Sequence, residues 1–367
     1  MQELTNILVD LIKLRSDVDT ANDESSVTKY IANFFKDLSS WKVIEQKVTK
    51  QRSNLIVTNS EDPQIVFVGH QDTVPVTSEE QLTSVVKDGR LYGRGAVDMK
   101  SGLAMMLLLA KQGVKKDVAF IFTVDEEYEF LGAKKFIEKN KWKPKILINP
   151  EPSDLKILTQ CRGFTELYLE FEGVSVHAGR KKLGINAIEH SIKFTSLLES
   201  ELQKYDNGKM KTSVNLAALN GGISVNGQVK VRPNVVPDFA QVVIEIRIGA
   251  AELTKSKIKE IVESVAKKVK LKLSSFRNEL WFGPMLEKNE GLKEFVDAFK
   301  KNRLPVSFLN PNKAGFYEVQ MLQSVWNCPV VIFGPGPNKK SHQKDEYVDL
   351  SSLEKAFSVL SEYLKTQ

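Results

Sequence analysis

The sequence predicts an α/β protein whose main domain is interrupted by a smaller inserted α+β domain. Three observations carry this expectation. Predominantly apolar runs, IVFVG at 65–69, AFIFTV at 119–124 and KILIN at 145–149, alternate with helical segments, and each leads into a histidine or carboxylates. Buried parallel strands read as such runs, and open α/β sheets place their sites where the strands end. After about Gln160 the pattern turns to strict alternation in TELYLEFEG and FAQVVIEIRIG, each followed by an amphipathic helix, which reads as a small α+β sandwich. From about Leu271 the first rhythm returns, with PVVIFGPGP as a buried strand ending in a glycine-rich turn. The expected division is 1–160 and 272–367 for the main domain and 161–271 for the insert.

The elements follow in order. MQELTNILVDLIKLRS and the stretch from Ser26 to Leu38 have helical apolar spacing, and Asn54–Thr58 reads as a strand. GLAMMLLLAKQG, 102–113, is apolar all round and predicts a buried helix. LGAKKFIEKN supplies the helix between two of the apolar strands. The insert's helices are expected at Ile185 to about Gln203 and Thr254 to Lys270, and a closing helix at Ser351–Tyr363.

A chain of 367 residues exceeds the size at which one core stops growing, so two domains are expected. Its 42% hydrophobic and 27% charged residues are those of a globular enzyme. The net charge of +6 comes from lysines scattered along amphipathic segments, without a dense basic block, which argues against nucleic acid as a partner. Cys161 and Cys328 form no C-x-x-C pattern, so neither a disulfide framework nor a cysteine metal site is indicated. The N-terminal segment carries Glu3 and Asp10 and lacks the form of a secretion signal, and no run approaches the roughly 18 apolar residues of a membrane span. A soluble cytoplasmic protein with no membrane partner is expected.

Histidine is scarce: of four, three sit in polar motifs beside apolar strands. His70 is followed by Asp72 in H-x-D, where a carboxylate beside a metal-bound imidazole can accept its other N–H. A structural histidine explains H-x-D equally well. Asp98, after a glycine-rich turn and before the apolar helix, reads locally as a helix N-cap. Asp125, Glu126 and Glu127 stand together, and adjacent like charges need solvent or a cation to stay ionised. Glu151 lies between Pro150 and Pro152, and His342 lies in the loop after the last apolar strand. Each signal alone has an ordinary explanation, but their joint occurrence at strand ends does not.

The blocks GHQDTVP, YGRGAVDMKSG, DEEYEFLGA, NPEPSD, SVHAGRKKLGINAI, RPNVVPD and FGPGP…SHQKDEYV, in this order over residues 69–348, resemble the di-zinc peptidases and deacylases of metallopeptidase family twenty. That family includes succinyl-diaminopimelate desuccinylase, acetylornithine deacetylase, aminoacylase and glutamate carboxypeptidase. The resemblance implies a zinc-peptidase-like catalytic domain with a central mixed sheet flanked by helices, and a ferredoxin-like insert serving dimerisation. It implies two Zn²⁺ per subunit, with Co²⁺ or Mn²⁺ as possible substitutes. Asp98 would bridge them, His70 and Glu151 completing one ion and Glu127 and His342 the other. Glu126 would be the general base towards a metal-bridged hydroxide, with Asp72 also in the catalytic set. His177 would reach the partner subunit's site and stabilise the oxyanion, making a homodimer part of catalysis. This chain departs from many relatives in having Arg180, Lys181 and Lys182 where they have proline.

Asn234, Arg247 and Gly336 match substrate-binding positions of some relatives, an arginine fork suiting a carboxylate. His190, on an amphipathic helix, reads as structural. Glu318 stands where deacetylase-like members carry T-E-A, tilting the expected substrate to an N-acyl amino acid of amino-acid biosynthesis. A dipeptidase or carboxypeptidase with the same metals is the alternative, and a metal-binding homologue without activity a remote one.

Overall fold

A computed structural model of the chain describes residues 2–17, 23–288 and 291–365. It divides into two compact units, one of residues 1–159, 286–310 and 317–367, the other of 160–285 and 311–316.

In the first unit the chain passes through α1 (Gln2–Lys13), α2 (Ser25–Phe34), β1 (Lys42–Lys47), β2 (Ser53–Thr58), β3 (Ile65–His70), β4 (Val85–Lys87), β5 (Arg90–Tyr92), α3 (Lys100–Gln112), β6 (Val118–Thr123), α4 (Leu131–Lys139) and β7 (Ile146–Asn149). The second unit contributes β8 (Gly163–Glu172), α5 (Ala187–Gln203), β9 (Ser213–Val225), β10 (Gln228–Lys230), β11 (Phe239–Ile248), α6 (Lys255–Lys268) and β12 (Lys272–Phe282). The chain then returns through α7 (Leu292–Lys301), α8 (Val319–Trp326), β13 (Val330–Ile332), β14 (Tyr347–Asp349) and α9 (Leu350–Lys365).

The first unit's main sheet has the order β1-β2-β6-β3-β7-β13. β6, β3, β7 and β13 run parallel, and β1 and β2 add an antiparallel edge. This is the mixed sheet flanked by helices that the family resemblance implies. Its central strands are apolar because both faces are covered. Ile65 and Phe67 join the core of α1, α3, α7 and α9, while Val66 and Val68 are buried on the opposite face. The rings of Phe67 and Trp41 each lie 5.2 Å from that of Phe120, and Lys100–Ala110 of α3 are buried throughout. Parallel pairing brings the carboxyl ends of β3, β6 and β7 to one edge, where His70, Asp125–Glu127 and Glu151 leave the sheet.

The second unit is a five-stranded antiparallel sheet, β10-β9-β11-β8-β12, with α5 and α6 sharing one core with alternate residues of β8 and β11. Leu167, Leu169 and Phe171 point inward, and Phe171 meets Phe194 of α5 at 4.8 Å. One boundary differs from expectation. The segment after Leu271, expected to begin the return, is β12, which pairs with β8 along Lys272–Phe282. Its half-exposed residues carry no strong period, so a strand at the sheet edge looks in sequence like a connection. Among the described residues no helix is long and apolar enough to cross a membrane.

Candidate metal centre

His70 closes β3 with a side chain 1% exposed, and its Nε2 lies 3.3 Å from Asp98 Oδ1 and 3.2 Å from Glu151 Oε1. His342 Nε2 lies 3.3 Å from Asp98 Oδ2 and 3.2 Å from Glu127 Oε1. The Asp98 carboxylate therefore stands between two imidazole and carboxylate pairs. It does not cap α3: the N-cap position is Met99, without a side-chain cap bond, and the Asp98–Met99 peptide is cis. The cap read locally from sequence loses to the two histidines.

The donor set fits a cation. His70 Nδ1 lies 2.9 Å from the Asp72 carbonyl oxygen, which can only accept, so Nδ1 carries the proton of the neutral ring. Its Nε2 lone pair then faces two carboxylates. Oxygens and a lone pair do not hold one another at 3.2–3.3 Å unless a proton or a metal lies between them. A tetrahedral ion with bonds of about 2.0–2.1 Å separates its donors by about 3.3 Å, which fits these spacings. One donor atom from each of His70, Asp98 and Glu127 lies within 4.8 Å of the others.

Without a cation, protons do this work. Burial and the neighbouring Asp98 push the Glu151 carboxyl up to about 8 and raise Glu127 as well. Burial, with Glu127 and Glu151 nearby, drives Glu126 well above the ordinary carboxylate range although His70 opposes this. Hydrogen bonds to Asp98 and Glu127 raise His342 to about 10. Burial would lift Asp98 too, but His342 and His70 hold it below its usual value. A divalent ion displaces such protons on binding.

The turn bearing Glu126 and Glu127 hangs on buried carboxylates. Asp72 was expected to orient His70 through its carboxylate, but that oxygen is 3.7 Å from Nδ1 and the backbone carbonyl makes the contact. The Asp72 carboxylate instead accepts Glu126 N–H at 3.1 Å and Glu127 N–H at 3.0 Å. Asp125, in the left-handed region at φ 68°, donates its N–H to Glu24 Oε1 at 3.1 Å. Arg52 binds Glu24 through Nε at 2.8 Å and Nη2 at 2.5 Å, and reaches Asp125 Oδ1 at 2.8 Å. Glu24 and Arg52 were not singled out from sequence, and Asp125 was read only as part of an acidic cluster, because their pairing exists only in the fold. Arg52→Met leaves two buried carboxylates facing each other and is expected to cost about 3–5 kcal/mol. Urea unfolding checks this, and a loss below about 1 kcal/mol would show the triad to be unimportant.

The other sequence-selected residues are distributed differently. His177, Asn234 and Arg247 belong to the second unit. His177 is exposed, its Nδ1 accepting Gly179 N–H at 3.2 Å, and its segment is joined to Asn234 by the Ala178 N–H to Asn234 carbonyl bond of 2.8 Å. Arg247 already holds a carboxylate, Glu245, through Nε at 2.7 Å. Gly336 was expected to admit substrate to the backbone; a Cβ there would collide with Asp154 Oδ1, and one on Gly334 would come within 2.5 Å of the Glu151 carbonyl oxygen. Close packing on the Glu151 segment accounts for both glycines. Glu318 is buried and accepts the Thr123 hydroxyl at 2.7 Å, while His190 Nδ1 contacts the Val269 carbonyl at 2.6 Å and plays the structural part expected of it.

A mixed α/β sheet presenting two histidine and carboxylate pairs on either side of a shared aspartate fits a metal-centred hydrolase. Residues 66–366 match the profile of Peptidase family M20/M25/M40. The chain belongs to this family and is a metal-dependent amidohydrolase or peptidase. It is 28% identical over 342 residues to acetylornithine deacetylase of Buchnera aphidicola subsp. Acyrthosiphon pisum (strain 5A), covering 87% of this chain and 85% of that one. It is 26% identical over 348 residues to succinyl-diaminopimelate desuccinylase of Buchnera aphidicola subsp. Cinara cedri (strain Cc), covering 88% and 89%. In fold it is similar to the aminopeptidase PepT of Bacillus cereus ATCC 10987, with a TM-score of 0.78 at 20% identity over 100% of this chain and 99% of that one. It is likewise similar to YXEP of Bacillus subtilis, described as a dinuclear metal binding peptidase, with a TM-score of 0.71 at 17% identity over 99% and 97%.

Proposed function

We propose that the protein is a di-zinc hydrolase that cleaves the amide bond of an N-acyl amino acid of the deacetylase or desuccinylase type. The observation that carries this reading is the Asp98 carboxylate set between His70 with Glu151 and His342 with Glu127. His70, Asp98 and Glu151 would hold one ion and Asp98, Glu127 and His342 the other, nitrogen and oxygen donors that suit zinc. The bound ions supply Lewis acidity to the scissile carbonyl and bring the pKa of a water towards neutrality.

The chain's own residues do the rest. Glu126, buried beside the cluster and held through its backbone by Asp72, takes a proton from the attacking water as its oxygen bonds to the carbonyl carbon. When the carbon–nitrogen bond breaks, Glu126 delivers the proton to the departing amine.

A homodimer is part of this reading. Among the described residues β10 covers only Ile223–Val225 of one flank of β9, leaving Ser213–Gly222 without a strand partner there, and Leu216 of β9 and Ile192 of α5 are exposed. Such an edge favours pairing with another chain. His177 would then act on the developing oxyanion in the partner's site. Mixed His177→Ala and Glu126→Gln subunits are expected to regain activity that neither homodimer has. Heterodimers that form and stay inactive would remove His177 from the site.

The reading is tested by release of free amine from N-acetylornithine, N-succinyl-diaminopimelate, N-acetyl-lysine and simple dipeptides, using zinc-loaded protein and Glu126→Gln as control. Turnover of one acyl amino acid is expected. Free amino acids released from the dipeptides alone would make the protein a dipeptidase with the same centre.

A further inference from the structure

The loop carrying Asp98 wraps around a single buried carboxylate. Glu346, 2% exposed, accepts four hydrogen bonds: Arg94 Nη1 at 2.6 Å and Gly95 N–H at 3.0 Å on Oε2, Val97 N–H at 3.0 Å and Asp98 N–H at 3.1 Å on Oε1. Successive backbone N–H groups of this kind form an anion-binding nest, made possible here by Gly95 at φ 78°. The anion in it is the protein's own side chain. Glu346 lies four residues after His342, just before β14, whose pairing with β5 aligns the two segments; Gly93 N–H donates to the Glu346 carbonyl at 3.1 Å. One carboxylate thus ties the backbone of Asp98 to the segment of His342, and the two side chains meet at 3.3 Å.

We propose that Glu346 is a positioning residue that sets the spacing of Asp98 and His342 and so tunes the affinity of the ion they share with Glu127. This rests on the di-metal reading above. Glutamine is nearly isosteric but turns one of the two acceptors into a donor aimed at donors, so either the Val97 and Asp98 N–H groups or Arg94 and Gly95 lose their partner.

Zinc binding to the apoprotein, measured by competition with a chromophoric chelator, tests the idea beside thermal unfolding of the apo form. Glu346→Gln is expected to weaken one of two ions about 10–100-fold, the scale for losing a group that orients a ligand. The other ion should weaken less. Val348→Ala, which removes buried volume from β14, should lower thermal stability without this change in zinc affinity. Should Glu346→Gln not fold, Glu346→Asp, which keeps the charge but shortens the reach, is expected to show the same selective weakening. Two ions bound by the folded variant as tightly as by the parent would overturn the role of Glu346 alone. A parent that binds fewer than two ions would overturn the metal reading and the proposal with it.

Discussion

Glu126→Gln is expected to reduce turnover by about 10²–10⁴-fold, the usual share of a positioned general base, while both ions remain bound. The substitution preserves shape and removes the ability to take a proton. Glu126 is 8% exposed, and its backbone N–H is fixed by Asp72 Oδ1 at 3.1 Å, so the amide should occupy the same place. The five side chains grouped by contact, His70, Asp98, Glu127, Glu151 and His342, do not include it. Removing a buried carboxyl from among Glu127, Glu151 and Glu318 also relieves like-charge crowding, so the variant should be no less stable than the parent. Metal content by elemental analysis beside initial rates checks the prediction. Activity within tenfold of the parent would exclude Glu126 as the base, and loss of an ion would make it a ligand.

Much of this centre was legible because its chemistry sits at the ends of strands with a plain sequence signature. The runs before His70, Asp125 and Glu151 are apolar since both faces of the central sheet are covered, and polar residues can begin only where the sheet ends. Residue identity was also legible where the interacting atom was not. Asp72 reads as a carboxylate for His70, yet its carbonyl faces the ring and its carboxylate holds the Glu126 turn. Spacing names a neighbour; only backbone geometry decides which oxygen points where.

The supports of the site were illegible for a related reason. Glu24 meets Arg52 across 28 residues and Asp125 across 101, and Glu346 meets Asp98 across 248. No periodicity links such positions, and each alone is one more charged residue in a loop. Asp98 shows the same competition from the other side. Its local context, directly before a helix, favours a cap, and the tertiary contacts to two imidazoles override that preference.

Asp98→Ala is expected to abolish turnover and reduce bound metal below two ions per chain, because its two oxygens face different histidines and both proposed ions lose a ligand. The effect on stability separates this from general damage. A ligand that binds only the folded state stabilises by RT ln(1 + [L]/Kd), about 2.7 kcal/mol at a hundredfold excess over Kd, so chelation should lower the parent's unfolding midpoint. In Asp98→Ala the chelator should have little effect, since the ions are already weakly held. The apo variant should be less stable than the apo parent, because the contacts with His342 and His70 that hold Asp98 below its usual value are lost, so the response to chelator is what reports the metal. Thermal unfolding of both proteins, with zinc and with chelator, gives all four values. A variant that retains two ions and a chelator-sensitive midpoint would show that Asp98 does not join the two halves of the centre.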